Sequence, residues 1–316
     1  MLDRPSHDMA SVGSERPLAT IVIPTRDRGP LVARAVQSAL GQSVHEVEVV
    51  VVDDGSIEPV RLDPDARLKV VRNHTSHGVS AARNAGLTVA NGEWIAFLDD
   101  DDELTSDFVE ASVLAAKDSQ LPRPVAILST VELRHPTGEI REVRRPITLS
   151  LGESFFTVDD HPQFQGANWL LAPTVVVRAI GGWDADYHAW EVEDFLIRLT
   201  RVASIQGVSK TLYVMHDHRG ERLGENNLAM IAGARRMLAQ YPEEFAASRG
   251  RASRYYGALS YLFLRERRPI DALQLAWTSF RLRPRLPSHP LILARMALSS
   301  AIAYATDFFQ DVWGAL

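Results

Sequence analysis

Short apolar runs alternate with amphipathic helical patterns over the first 130 residues, and this alternation constrains the fold more than any other feature of the chain. Buried strands are predicted at residues 18–24, 47–52, 68–72, 94–98 and 125–130, and helices at 30–42, 78–90 and about 106–117. A repeated strand, helix, strand order predicts an α/β fold, with a mostly parallel sheet and helices on both faces. Ligands of such sheets bind in the crevice at the carboxyl ends of the strands.

Polar motifs follow three of these strands where each strand ends. The sequence PTRDR occupies residues 24–28, DDGS occupies 53–56, and four aspartates occupy 99–102. Because the carboxyl ends of parallel strands meet at one edge of a sheet, we expect the three motifs to open on the same crevice. Taken singly, each acidic motif could equally be a turn that caps the next helix.

The four adjacent aspartates predict a site for a divalent cation. Their carboxylates repel one another, and a hard cation such as Mn²⁺ or Mg²⁺ would supply the opposing charge through oxygen ligands. The chain has no cysteine, so disulfides, thiolate zinc sites and cysteine nucleophiles are excluded. Since enzymes hold diphosphates through such cations, the run predicts a metal-diphosphate site.

Three further side chains at the crevice suit a nucleotide. The carboxylate of Asp54 can accept the N–H of a base, Thr25 can bond the carbonyl side of the base, and Arg83 can neutralise a phosphate. The glycine-rich fingerprints of the dinucleotide fold and of the P-loop are both missing from the sequence. The pair Asp53-Asp54 is similar to that of a receiver domain, but such domains are much shorter and lack the later motifs.

Taken together, the motifs resemble glycosyltransferase family 2, whose members are enzymes with the GT-A fold. The stretches VIPTRDR, VVVDDGS, GVSAARNAG and GEWIAFLDDDD follow the family's order and spacing over about residues 18–107. Two weaker motifs, GGWD at 181–184 and WEVEDF at 190–195, extend the resemblance to about residue 216.

The resemblance implies a role for each residue of the donor half. The implied donor-binding residues are Pro24, Thr25, Arg26, Asp54, Arg83, Asp99 and Asp100. Within this set, Thr25 and Asp54 would hold the nucleobase, and the two later aspartates would face the ribose. Asp101 would ligate the metal, with Asp102 as a support or helix cap. A run of four acids leaves this register open by one residue.

The resemblance also implies an acceptor half. Asp194 is expected to be the general base, which takes the proton of an acceptor hydroxyl as that oxygen attacks the anomeric carbon from the face opposite the diphosphate. Glu193 would be its partner at the start of a helix over 193–202. His216 would face the metal or the diphosphate, with His218 as the alternative.

Three tryptophans, Trp169, Trp183 and Trp190, lie in the same half of the chain. Core packing is the better explanation for any one of them, because each has a large apolar area to bury. Only Trp190, next to the expected base, is assigned to the acceptor site.

Beyond about residue 219 the pattern is helical, with helices predicted at 228–240, 254–265, 270–282 and 291–312. Residues 235–295 carry 12 arginines against 4 acids, whereas the whole chain has a net charge of -6. The expected division is a flexible tail at 1–16, a GT-A catalytic domain at 17–220 and a helical region at 221–316. The basic helical region suits an anionic membrane surface, although packing on the catalytic domain or on a dimer partner would also explain it.

The sequence therefore predicts an inverting, metal-dependent glycosyltransferase that moves a sugar from a nucleotide diphosphate donor, most simply a uridine one, to a hydroxyl of a glycan or cell-envelope acceptor. A lipid-linked acceptor, a cytoplasmic location at the inner face of the membrane and no nucleic-acid partner are part of this prediction. Two alternatives stay open. A nucleotidyltransferase would need a glycine-rich basic loop after the first strand, and a silent sugar-nucleotide-binding module would need a broken set of acids.

Overall fold

A computed structural model describes residues 16–156, 170–217 and 226–284. The strands in these ranges are β1 (Ala19–Thr25), β2 (Val47–Asp54), β3 (Leu68–Asn73), β4 (Trp94–Phe97), β5 (Glu103–Leu104), β6 (Val125–Arg134), β7 (Ile140–Arg144), β8 (Leu170–Pro173) and β9 (Ser204–His216). The helices are α1 (Gly29–Leu40), α2 (Val79–Val89), α3 (Phe108–Asp118), α4 (Thr174–Ala179), α5 (Glu191–Thr200), α6 (Asn227–Gln240), α7 (Pro242–Ala247), α8 (Arg249–Arg265) and α9 (Pro269–Leu282).

The strands form one sheet in the order β3-β2-β1-β4-β8-β6-β9-β5, with β7 beside β6. The half that was predicted from the apolar runs is parallel, since β1 pairs in parallel with both β2 and β4, and β2 with β3. The other half is mixed, because β6 pairs in parallel with β9 and antiparallel with β7 and β8. The short strand β8 runs antiparallel between β4 and β6 and separates them.

The core is built on the central strands. All residues of β1 and β2 are buried, which is expected of parallel strands covered by helices on both faces. Helix α2 packs unusually close to β1, because a Cβ atom on Gly86 would lie 2.3 Å from Cγ1 of Val22. One turn earlier on α2, Arg83 reaches Asp99, just after the end of β4.

Helices α6 to α9 follow the sheet, in agreement with three of the four helices predicted for the C-terminal region. Part of their apolar surface, including Met237, Tyr241 and Tyr255, joins the main core. A second cluster, with Phe263 and Ala276 among its buried members, lies between α6, α8 and α9. The predicted helix at 291–312 lies outside the described residues, and the division into three regions stays a prediction.

Two smaller expectations concern the tail and the membrane. Arg16, the last residue of the predicted tail, is anchored, since its guanidinium donates to the carbonyl oxygens of Asn91 and Gly92. Residues 1–15 lie outside the described ranges. Among the helices in the part of the chain that the structure describes, none is long and apolar enough to cross a bilayer.

Candidate functional site

The acid run follows β4 and lies at the crevice edge of the parallel strands. Asp99, Asp101 and Asp102 each present a carboxylate oxygen, and these oxygens lie within 4.8 Å of one another. Three such oxygens are the hard donors that Mg²⁺ and Mn²⁺ prefer, so the side chains present fit a divalent cation. The metal site that the sequence predicts therefore has a plausible ligand set.

The protonation of the acid run reflects burial and mutual repulsion. Burial raises the pKa of Asp100 to about 6. Burial also raises the pKa of Asp102 well above its ordinary value, and the charges of Asp99 and Asp101 add to this effect. The pKa of Asp99 is raised by burial against the opposing charge of Arg83. A bound cation would relieve this repulsion, because it favours the ionised carboxylates.

Two arginines flank the acid run. Nη1 of Arg28 lies 2.9 Å from Oδ2 of Asp101 and 3.2 Å from Oδ1 of Asp100. Arg83 donates through Nη2 to Oδ1 of Asp99 at 2.9 Å and stacks on the ring of Trp183 at 4.4 Å. The tryptophan is buried, as its apolar area led us to expect.

The remaining donor residues lie around the ends of β1 and β2. Pro24 and Thr25 are buried in β1, and Oγ1 of Thr25 donates to Oδ2 of Asp100 at 2.6 Å. Arg26 is exposed and lies 3.6 Å from Asp27. Asp27 has a positive φ of 55°, and its main-chain N–H donates to the hydroxyl of Ser56, so the loops after β1 and β2 are tied together.

Asp54 is engaged by the loop after β3. Its carboxylate accepts hydrogen bonds from Nδ2 of Asn73, Oγ of Ser76 and the main-chain N–H groups of His77 and Gly78. Burial opposes ionisation, but these hydrogen bonds lower the pKa of Asp54 overall, so it stays charged. In this arrangement Asp54 organises the wall of the crevice, and its contact with a nucleobase stays a prediction.

Asp194, the expected general base, lies one helical turn inside α5 and is completely buried. Its Oδ2 accepts bonds from Nε and Nη2 of Arg198 at 3.0 and 2.5 Å, and its Oδ1 accepts the hydroxyl of Tyr241 at 2.5 Å. A base must reach the acceptor hydroxyl, and this carboxylate has no exposed surface and has partners on both oxygens. The geometry therefore gives Asp194 a structural role and does not support it as the base.

Glu191 is the acid of α5 that lies next to the donor half. The helix begins at Glu191, two residues before the predicted start, and the side chain of this residue is 13% exposed. Oε1 of Glu191 lies 3.5 Å from Nη1 of Arg83, the arginine that holds Asp99. The family motif assigned the base to Asp194, the last acid of the WEVED stretch. The contact with Arg83 is what distinguishes Glu191, the first acid of that stretch, from the other two.

The two residues expected at the acceptor face the C-terminal helices. Trp190 donates its indole N–H to the carbonyl of Met230 at 2.9 Å, and its ring lies 4.5 Å from that of Tyr255. Burial raises the pKa of Glu193 to about 7, and the charge of nearby Arg251 partly opposes this rise. Trp190 thus contacts α6 and α8, and Glu193 senses the charge of Arg251 on α8. The contact of either residue with an acceptor stays a prediction.

His216 lies at the end of β9, beside the acid run. Its main-chain N–H donates to Oδ1 of Asp102 at 3.0 Å, and Nε2 of its ring lies 2.7 Å from Oε1 of Glu103. Burial and the charge of Arg34 lower the pKa of His216. The ring is not part of the three-carboxylate group, so its role as a metal ligand stays a prediction. His218 lies outside the described residues.

Sequence reasoning missed two residues of the site. Arg28 belongs to the PTRDR motif, but the sequence analysis gave it no role. The available signal was a basic side chain that follows one strand while an acidic run follows another strand of the same sheet, because opposite charges attract. The hydroxyl of Tyr213, which donates to Oδ2 of Asp102 at 2.7 Å, had no such signal.

Comparisons of this chain with known proteins agree on one family. Residues 20–164 match the sequence model of glycosyl transferase family 2. The pre-mycofactocin glycosyltransferase of Mycobacterium tuberculosis (strain CDC 1551 / Oshkosh) is 27% identical over 226 residues, 68% of this chain and 46% of that protein. The succinoglycan biosynthesis protein ExoO of Rhizobium meliloti (strain 1021) is 40% identical over 95 residues, 29% of this chain and 27% of that protein. The chain thus spans less than half the length of these two relatives.

A solved structure shares the fold over nearly the whole chain. The crystal structure of S. aureus TarS 1–349 in complex with UDP-GlcNAc has a TM-score of 0.59 and 16% sequence identity to this chain. The similarity covers 94% of this chain and 92% of that one. The predicted α/β fold of the GT-A type, followed by helices, is confirmed.

We expect Asp194→Asn to lower the stability of the protein. The amide would leave the charge of Arg198 without its buried partner, and losing one member of a buried ion pair costs about 3 kcal/mol or more of the free energy of unfolding. Urea unfolding at pH 7 measures this. Glu193→Gln is the matched control, because the raised pKa of Glu193 makes its replacement by a neutral amide cheap. Unchanged stability together with a large loss of turnover would restore Asp194 as the base.

Proposed function

We propose that this chain, which belongs to glycosyltransferase family 2, moves a sugar from a nucleotide diphosphate donor to a hydroxyl of a glycan or cell-envelope acceptor. The observation that carries the proposal is the linked set of Glu191, Arg83 and Asp99. One buried guanidinium lies 3.5 Å from the first carboxylate and 2.9 Å from the second, so it joins an acid of the acceptor half to the acid run.

A uridine donor and a cell-envelope acceptor are the finer parts of this proposal. The structure of TarS, which shares the fold, was solved with UDP-GlcNAc. The relative ExoO is named for the biosynthesis of succinoglycan, a polysaccharide. These names support the choice of donor and acceptor class.

The donor would lie at the acid run with its diphosphate toward Asp99, Asp101 and Asp102. A divalent cation bound there supplies Lewis-acid stabilisation of the departing diphosphate. Arg83 is buried and held by Trp183, so it would offer a fixed positive charge to the same leaving group. Mn²⁺ or Mg²⁺ is proposed on the chemistry of the three carboxylate oxygens.

Glu191 would act as the general base. Its carboxylate takes the proton of the acceptor hydroxyl while the acceptor oxygen forms the new bond to the anomeric carbon. The bond from that carbon to the diphosphate oxygen breaks, and its electron pair leaves with the nucleoside diphosphate. One displacement of this kind inverts the anomeric configuration.

The metal proposal predicts the behaviour of Asp101→Asn. The amide oxygen is a weaker ligand than a carboxylate and removes one negative charge from the site, so Mn²⁺-dependent binding of UDP should fall by about tenfold or more. Calorimetry with UDP, with and without Mn²⁺, measures this. Asp118→Asn, which removes an exposed acid at the end of α3, is the control. A variant with the full Mn²⁺ dependence would show that Asp101 is not a ligand.

The base proposal predicts the behaviour of Glu191→Gln. An amide cannot accept the proton, so turnover should fall by about a hundredfold or more, while UDP-sugar still protects the protein against thermal unfolding. The protein is screened with UDP-sugars and glycan acceptors, and the anomeric configuration of the product is read by NMR.

Glu243→Gln, at an exposed acid of α7, is the control for this experiment and should retain turnover. If Glu193→Gln abolishes turnover and Glu191→Gln does not, Glu193 is the base. A retained anomeric configuration would contradict a single displacement. If the protein binds UDP-sugars but transfers no sugar to any acceptor class, the silent binding module is the better description.

The C-terminal helices suggest how the protein meets a lipid-linked acceptor. On α9, Ile270, Leu273 and Trp277 are 74%, 55% and 57% exposed. Their spacing of three and four residues puts them on one face, here called the apolar stripe. Exposed arginines, including Arg267 and Arg281, lie at the two ends of the helix. An exposed apolar face with basic ends suits the interface of an anionic bilayer, so we propose peripheral contact there, at the inner face of the membrane.

This contact predicts binding to vesicles that contain anionic lipid, and binding that weakens as salt is added. Ile270→Ser combined with Trp277→Ser should reduce flotation with such vesicles by about tenfold, since two apolar anchors are lost. Leu228→Ser, at a 67% exposed apolar side chain on α6, is the matched control. Equal flotation with neutral and anionic vesicles would contradict the proposal. A dimer in ultracentrifugation that the double variant abolishes would assign the apolar stripe to self-association.

A further inference from the structure

Three arginines contact the acid run in the described residues: Arg34 donates to the main-chain carbonyl of Asp101, whereas Arg28 and Arg83 pair with its carboxylates. The latter two differ in exposure. The side chain of Arg83 is 3% exposed and lies against the ring of Trp183. The side chain of Arg28 is 33% exposed and lies 2.9 Å from Oδ2 of Asp101. Arg83 is therefore enclosed by protein, whereas a third of the Arg28 side chain is in contact with solvent.

The position of Arg28 conflicts with the metal site. Its Nη1 lies 2.9 Å from Oδ2 of Asp101, the carboxylate expected to ligate the cation. A cation on Asp101 would meet a guanidinium charge at close range, and two positive charges in a partly buried site repel strongly. Arg28 therefore competes with a metal ion for the charge of this carboxylate.

The backbone around Arg28 is pinned, so only its side chain can respond. Its carbonyl oxygen accepts the N–H groups of Leu31 and Val32 at the start of α1. On the other side, the side chain of Asp27 accepts the N–H of Ile57, and its own N–H donates to Ser56. The main chain at Arg28 is thus held in place by hydrogen bonds, and the guanidinium can move only by rotation of its side chain.

We propose that Arg28 is an exchangeable cation. In the metal-free protein it neutralises Asp100 and Asp101, and when the metal and the diphosphate bind it leaves Asp101 and pairs with the diphosphate. This inference rests on the proposed function of the same site. It implies that Arg28 suppresses binding of the metal alone and favours binding of the metal together with the nucleotide, so that the complete donor is selected over the free ion.

The test compares Arg28→Gln with the wild type in two calorimetric titrations. In the first, Mn²⁺ is added alone, and the variant should bind it about tenfold more tightly, because a competing positive charge is gone. In the second, UDP is added at saturating Mn²⁺, and the variant should bind it about tenfold more weakly, because a charged hydrogen bond to the diphosphate is lost. A rise in the affinity for Mn²⁺ together with a fall in the affinity for UDP is the result that exchange predicts.

Two further variants complete the experiment. Arg28→Lys keeps the charge and should stay within about threefold of the wild type for Mn²⁺ alone. Arg141→Gln removes an equal charge from an exposed arginine on β7 that pairs with Asp217, and it should change neither titration. Thermal unfolding without ligand confirms that each variant is folded.

The outcomes separate this inference from the proposed function. A wild-type protein that binds neither Mn²⁺ nor UDP would overturn the proposed function. A wild-type protein that binds both, with Arg28→Gln unchanged in both titrations or weakened in both, would overturn only the exchange by Arg28.

Discussion

The repulsion among adjacent carboxylates after β4 is the constraint on which the site depends. Four acids follow one strand, and hydrogen-bond donors from separate elements contact their carboxylates. Arg28 comes from the loop before α1, Arg83 from α2, and Tyr213 from β9. The contacts of Arg28 and Tyr213 join residues 73 and 111 positions apart, and that of Arg83 joins residues 16 positions apart. The acid run therefore draws the first helices and the last strand of the sheet together, and the positions of those elements define the crevice.

Much of the fold could be predicted from the sequence, because buried parallel strands are continuous apolar runs. The antiparallel strand β8 could not, since its four residues Leu170–Pro173 are too few to show a period. In the site, the acid run was found because neighbouring like charges are conspicuous. We propose Glu191 instead of Asp194 as the base, because the sequence did not reveal that Asp194 is buried. Asp194 lies three residues, or about 4.5 Å, further along the axis than Glu191. That distance separates the buried ion pair with Arg198 from the contact with Arg83.

The buried ion pair of Asp194 connects the C-terminal helices to α5. Tyr241, at the end of α6, donates to the carboxylate that also holds Arg198 on α5. Arg198 in turn donates to the carbonyl oxygens of Ile180 and Gly182, in the turn before the acceptor half. The pair thus connects α5, α6 and this turn in one network. A network of this kind is costly to leave incomplete, because each unpaired charge would stay buried.

The position of Glu191 depends on the residue before it. Trp190 has a φ of 70°, a left-handed conformation that a bulky side chain adopts only when its surroundings enforce it. Its indole N–H is bonded to Met230 on α6, and its ring lies against Tyr255 on α8. Helix α6 approaches so closely that a Cβ atom on Gly233 would lie 2.4 Å from the carbonyl oxygen of Ala189. The helical region therefore fixes the backbone turn that starts α5 and, through it, the direction in which Glu191 meets Arg83.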